Sequence, residues 1–98
     1  MTIQKEINGS AMKVALEGRL DTTTAPELEA ELKGSLDGIT DLEIDLANLE
    51  YMSSAGLRVM LSAQKVMQKQ GQMTVCHVNE TIMEIFEVTG FSDILTIV

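Results

Sequence analysis

Cysteine and histidine each occur once among the 98 residues, as Cys76 and His77, and only seven Lys and Arg stand against fifteen carboxylates. A lone cysteine closes no internal disulfide, which suits a reducing cytoplasm. A lone histidine leaves a multi-histidine metal site without ligands and a serine–histidine dyad without a spare base. Consecutive strand residues point to opposite faces, which counts against a Cys76–His77 catalytic pair. They read as a buried thiol and a half-exposed imidazole. With a formal charge of −8, the chain lacks the clustered cations that nucleic acid requires. No apolar run approaches the roughly twenty residues of a membrane span, and "MTIQKEINGS" lacks the basic–apolar–small order of a signal peptide. Neither a Gly-x-x-x-x-Gly-Lys-Ser/Thr nor a Gly-x-Gly-x-x-Gly phosphate loop occurs. Carboxylates are plentiful, but Glu27, Glu29 and Glu31 fit a solvated helix, and Glu43 and Asp45 the outward side of a strand. The expectation is one cytoplasmic domain over residues 1–98, monomeric when free, with no metal, no cofactor, no membrane insertion and no enzymatic activity.

What is present is a regular alternation of elements. Residues 2–7 and 11–17 alternate around Asn8-Gly9, a pair that tolerates the positive φ of a tight hairpin. Thr24, Pro26 and Glu27 form a Thr-x-x-Glu capping box with proline in the first turn. Ala25, Leu28, Leu32 and Leu36 then line one helix face, and Gly38 supplies a stop. Residues 41–47 alternate as a strand. A helix spans 54–70, with Val59, Met60, Ala63, Val66 and Met67 on one side and Arg58, Ser62, Lys65 and Lys69 on the other. Gly71 ends it. "QMTVCHV" is a further strand, Asn79 and Gly90 bound the next helix, "FSDIL" is a short helical turn and "TIV" a terminal strand. The order ββαβαβαβ predicts an α/β domain: a mixed sheet with an antiparallel N-terminal hairpin, parallel strands joined by helical crossovers, and helices packed against it.

The stretch "YMSSAGLRVM" sets two serines before the longest helix. Four N–H groups at a helix start lack intrahelical partners, and a Ser hydroxyl satisfies one for about 1 kcal/mol. A cap explains one serine, not two. The positive end of the helix dipole tolerates an added phosphate, which brings about two negative charges. Gly56 removes bulk beside the hydroxyls and permits close approach of another backbone. Residues 54–70 carry Arg58, Lys65 and Lys69 without a carboxylate. That stripe is either a solvated face or a surface that steers a partner. Met52, Met60 and Met67 read as packing.

"LANLEYMSSAGLRVMLSAQKVM" resembles the phosphorylation-site region of STAS domains, specifically the bacterial anti-sigma factor antagonists. "LEGRLDTTTAPEL", "DLEIDLANL" and "IMEIFEVTGFSDIL" are similar to further family segments in the same order, so the resemblance spans nearly the whole chain. It implies partner switching. The unphosphorylated domain binds an anti-sigma factor that is itself a serine kinase and so frees that kinase's target. Phosphorylation from ATP held by the kinase breaks the complex, and a PP2C-type phosphatase restores it. Aligned on Gly56-Leu57, the acceptor falls on Ser54, with Ser53 as competitor, and the family's turn aspartate falls on Asp21. Ser53 stands where the family has an acidic residue. Asp21, Thr22, Thr23, Ser53, Ser54, Gly56, Leu57, Arg58, Ser62 and Lys65 form the expected partner surface, although Thr22 and Thr23 equally suit a segment that only precedes a helix cap. Two other readings are a docking module that needs no phosphorylation, such as a soluble transporter or scaffold subunit, and a ligand sensor with a pocket of Met and Leu.

Overall fold

Alternation of apolar and polar residues settles which side of the sheet is covered. A computed structural model describes all 98 residues. It contains β1 (Thr2–Asn8), β2 (Ala11–Leu20), α1 (Ala25–Ser35), β3 (Asp41–Met52), α2 (Ser54–Gln70), β4 (Gln72–Cys76) and α3 (Glu80–Thr89), followed by a 3-10 turn at Phe91–Asp93. The sheet order is β1-β2-β3-β4. β1 and β2 are antiparallel, while β2–β3 and β3–β4 are parallel. The terminal "TIV" contributes a single parallel bridge, Val75 to Ile97, rather than a full strand.

Met12, Val14 and Leu16 of β2, Leu42, Ile44 and Leu46 of β3, and Met73 and Val75 of β4 are all buried beneath the helices. Their partners in alternation, such as Lys13, Glu43 and Thr74, occupy the other, helix-free face. The helices contribute Leu28, Leu32, Met60, Met67, Ile82 and Phe86 to the same core. Each such side chain is worth about 1.5–3 kcal/mol of burial. Lys5 also points to the helix side, where its ammonium pairs with Glu31 of α1 at 2.8 Å and donates to Ser35 Oγ at 2.7 Å.

Two expectations about length and face change. Val66 is 40% exposed rather than buried. Near it α1 and α2 stand apart, leaving a cleft of about 190 Å³ lined by Leu32, Leu36, Val59 and Val66. That cleft holds no methionine, and Met12, Met52, Met60, Met67 and Met73 are at most 2% exposed, so it is not the pocket of Met and Leu that a ligand sensor would require. Strand β3 runs to Met52, five residues beyond the alternating stretch. Its inward residues are spaced by two through Leu46 and by three at Leu49 and Met52. Register against β2 slips twice, between Ala15 and Glu17 and between Gly18 and Arg19, each time admitting one extra β3 residue. Such bulges break a period-two pattern while preserving the strand. Gly18, at φ +104°, accommodates the second.

Gly71 ends α2 for a reason of space rather than handedness. Its φ is 173°, an extended value, but a Cβ there would overlap the Thr40 carbonyl, which accepts from Gln72 N–H at 2.9 Å. Gly34, inside α1, has open space around it. We expect Gly71→Ala to destabilise the fold by at least about 2 kcal/mol. Gly34→Ala stabilises it by about 0.5–1 kcal/mol through helix propensity. Urea unfolding midpoints at constant m-value check both.

Candidate functional site

The two β3 bulges deliver Ser53 and Ser54 beside the end of β2. Ser53 N–H donates to Leu20 carbonyl O at 2.8 Å, so the start of α2 is bonded to the strand that leads into Asp21. Ser53 has extended backbone (φ −88°, ψ 176°) and is the N-cap, its hydroxyl accepting from Gly56 N–H at 3.5 Å. Ser54 is the first helical residue and is exposed. The two serines therefore divide the work: one terminates the helix, and the other presents a hydroxyl to solvent at the positive end of the dipole.

Gly56 and Leu57 are buried. A Cβ on Gly56 would lie 2.7 Å from Leu20 Cγ and 2.9 Å from Met52 Cγ. Gly56 thus admits side chains of β2 and β3 rather than another backbone, and it offers no side chain to a partner. Its contribution is to let α2 sit close to the strand ends that hold the serines.

The turn before α1 is organised by Asp21 and not by the expected capping box. Thr24 has helical backbone (φ −96°, ψ −21°) and makes no side-chain cap bond. The helical turn begins earlier, where Ala25 N–H donates to Asp21 O at 2.8 Å. Asp21 Oδ1 accepts from Thr23 N–H at 3.0 Å and Thr24 N–H at 3.2 Å. Thr24 Oγ1 accepts from Asp21 N–H at 2.9 Å and donates to Arg19 O at 2.8 Å. The Thr24 N–H bond holds the Asp21 carboxyl below the usual carboxylate range; partial burial opposes it, and Thr23 and Arg19 add to the lowering. Thr22 and Thr23 are exposed on the outer side of this turn.

The serine end of α2 is a ridge between two grooves. On one side, Ser53, Ser54 and Leu57 face Thr81, Glu84, Ile85 and Val88 of α3 across about 480 Å³, with Tyr51 and Met52 at the end. On the other, Ala55, Arg58, Val59 and Ser62 face Thr22, Ala25, Pro26 and Glu29 across about 250 Å³. Most of the expected partner residues thus fall on one surface. Lys65 is exposed farther along α2 and lines neither groove. Three contributors were missed from sequence. Arg19 lies 4.6 Å from the Tyr51 ring centroid and 3.9 Å from Asp21 Oδ2, joining the Asp21 turn to the end of β3. Val88 is 82% exposed beside the serine groove. Its signal was available: it is an apolar residue off the Ile82–Phe86 face of its helix.

Cys76 and His77 do not diverge as consecutive strand residues would. Strand β4 ends at Cys76 and His77 adopts φ +55°. This brings the imidazole, the thiol and the Asp45 carboxylate within 4.8 Å of one another.

Because Asp21 titrates below its unfolded value, its contribution to stability is complete above about pH 4 and is lost as pH falls through the folded value. Asp21→Asn keeps an acceptor oxygen but loses the charge. The variant is expected to be less stable than wild type at pH 7, with the gap closing as pH drops below about 4. Thermal unfolding of both proteins across that range reads the difference.

Comparison with known proteins agrees with this architecture. The STAS domain family model matches residues 2–98. The putative anti-sigma factor antagonist BtrV of Bordetella bronchiseptica is 39% identical over 84 residues, covering 84% of this chain and 72% of that protein. The anti-sigma-B factor antagonist of Bacillus subtilis is 32% identical over 91 residues, covering 92% and 84%. Among solved structures, the anti-sigma factor antagonist SpoIIAA in its unphosphorylated form superposes with a TM-score of 0.86 at 17% identity, over 99% of this chain and 88% of that one. The phosphorylated form of Bacillus SpoIIAA gives a TM-score of 0.77 at 17% identity, over 99% and 91%. No helix of the present chain is long and apolar enough to cross a membrane. With the family model spanning 97 of its 98 residues (2 to 98) and relatives above 30% identity along most of its length, the chain belongs to the STAS domain family and is similar to members named anti-sigma factor antagonists.

Proposed function

We propose that this domain is a cytoplasmic anti-sigma factor antagonist that works by partner switching, with Ser54 as phosphoacceptor. The unphosphorylated domain docks its α2 ridge and flanking grooves on an anti-sigma factor that is a serine kinase, and so frees that factor's target. The kinase holds the ATP. Transfer of the γ-phosphoryl group to Ser54 Oγ ends the complex, and a PP2C-type phosphatase hydrolyses the ester. In this scheme the domain is a substrate and a docking surface rather than a catalyst.

One observation carries the reading. Ser53 occupies the cap, so Ser54 is left exposed at the helix start between two grooves. A phosphate there meets the positive end of α2 and disturbs no hydrogen bond that the fold uses. Arg58, four residues on, borders the other groove and is within the usual reach of an i,i+4 pair across the ridge. Modification therefore changes the surface twice: it adds about two negative charges and draws off a cation that an acidic partner could otherwise meet. Association with such a partner weakens through both changes.

Ser54→Ala is expected to bind the kinase partner as wild type does, and Ser54→Asp to bind at least about tenfold more weakly with an unchanged unfolding midpoint. Incubation with kinase and ATP adds roughly 80 Da, one phosphoryl group, to wild type but not to Ser54→Ala. Isothermal titration and intact mass read these. Wild-type affinity in both variants, with no mass gain, would replace the switch by a docking module that is not modified.

A further inference from the structure

We propose that Asp45, Cys76 and His77 form a binding site for a thiophilic divalent transition metal, zinc being the best match. Parallel pairing sets Asp45 of β3 beside Cys76 of β4. Met73 and Val75 enter the core, so Gln72, Thr74 and Cys76 alternate onto the helix-free face of the sheet. Cys76 is only 8% exposed, yet it lies outside the 24-residue hydrophobic cluster. The thiol is thus buried on the helix-free face, apart from the cluster beneath the helices.

His77 supplies the third donor. It is the one non-glycine residue with positive φ, +55°, and that turn sets its Nδ1 3.1 Å from Asp45 Oδ1. Sulfur, nitrogen and oxygen donors all fall within 4.8 Å, so adjustments of about an ångström bring them to the separations of a tetrahedral ion. The carboxylate is already oriented. Ala47 N–H donates to Asp45 Oδ1 at 2.9 Å, and Lys13 Nζ lies 3.7 Å from Asp45 Oδ2 and 3.6 Å from Glu43 Oε2. Burial raises the Asp45 pKa, but the Ala47 N–H, His77 and Lys13 more than offset it, and the group sits below the usual range.

Donor chemistry selects the ion. Calcium and magnesium take oxygen ligands, whereas thiolate with imidazole and a single carboxylate suits zinc or cobalt. Three protein ligands leave a fourth position for water or an outside donor, and the His77 side chain, 64% exposed, is open to solvent. Without metal the thiol is protonated and unreactive, its pKa raised by burial and by the carboxylates of Glu43 and Asp45. Binding forms the metal–sulfur bond as the S–H proton passes to solvent, with no change of oxidation state.

Cobalt(II) titration of the full chain tests this. One equivalent should produce a thiolate-to-cobalt charge-transfer band in the near ultraviolet with visible bands of tetrahedral intensity, and zinc should displace both. Cys76→Ser abolishes the charge-transfer band. His77→Asn, chosen because asparagine tolerates positive φ, weakens zinc binding by at least about tenfold with circular dichroism unchanged. Should Cys76→Ser fail to fold, His77→Asn and Asp45→Asn decide the matter alone. Absence of a charge-transfer band in wild type, or equal zinc affinity in wild type and His77→Asn, overturns the proposal. Its outcome is independent of phosphorylation at Ser54.

Discussion

The hydrogen bond from Ser53 N–H to the Leu20 carbonyl is the joint on which the site depends. It ties the end of β2 to the junction of β3 with α2, more than thirty residues later in the sequence. Two bulges lengthen β3 enough to reach it. Gly56 lets α2 pack against Leu20 and Met52 without bulk between them. Asp21, the residue after Leu20, then closes the turn into α1. The position of Ser54 is thus set by backbone pairing in the sheet rather than by a loop free to adjust. The place of that hydroxyl is fixed by the fold and not by contacts of its own side chain.

Much of this was legible in the sequence, for identifiable reasons. Hairpin, helices and central strand follow from period and caps: Asn8-Gly9, the Leu28–Leu32–Leu36 face, Asn79 and Gly90 all act as their chemistry implies. Which serine caps α2 was open from sequence; that place falls to Ser53, extended, with Ser54 helical and exposed. What failed was where local pattern and tertiary demand diverge. The Thr24–Glu27 box has the right residue types, yet Asp21 begins the turn a step earlier and takes the N–H groups first. Bulges hid the second half of β3. The opposite-face rule for Cys76 and His77 assumed a strand that ends one residue too soon. Arg19 was missed because its partner Tyr51 lies on another element, and pairing across elements leaves no local period to read; Val88, an apolar residue off its helix's buried face, was readable and overlooked.

The surface chemistry is unevenly distributed, and this gives the domain its two faces. Helices α1, α2 and α3 cover one side of the sheet and frame the serine ridge with apolar and hydroxyl-bearing walls, one cation, Arg58, and the carboxylates Glu29 and Glu84. The uncovered side carries rows of charge, with Lys13 between Glu43 and Asp45. In a chain with a formal charge of −8, Lys5 meets α1, Lys13 the carboxylates of the open face and Arg19 the Tyr51 ring, while Arg58 shares a groove with Glu29.

Strand β3 also sets the separation between those faces. Asp45 and Met52 are seven positions apart on it, and at about 3.3 Å per residue this puts roughly 20 Å between the carboxylate cluster and the serine ridge. Ionic screening in the cell acts over about 8 Å. A charge placed at one end of the strand is therefore nearly silent at the other, so any coupling between the two ends has to pass through the backbone.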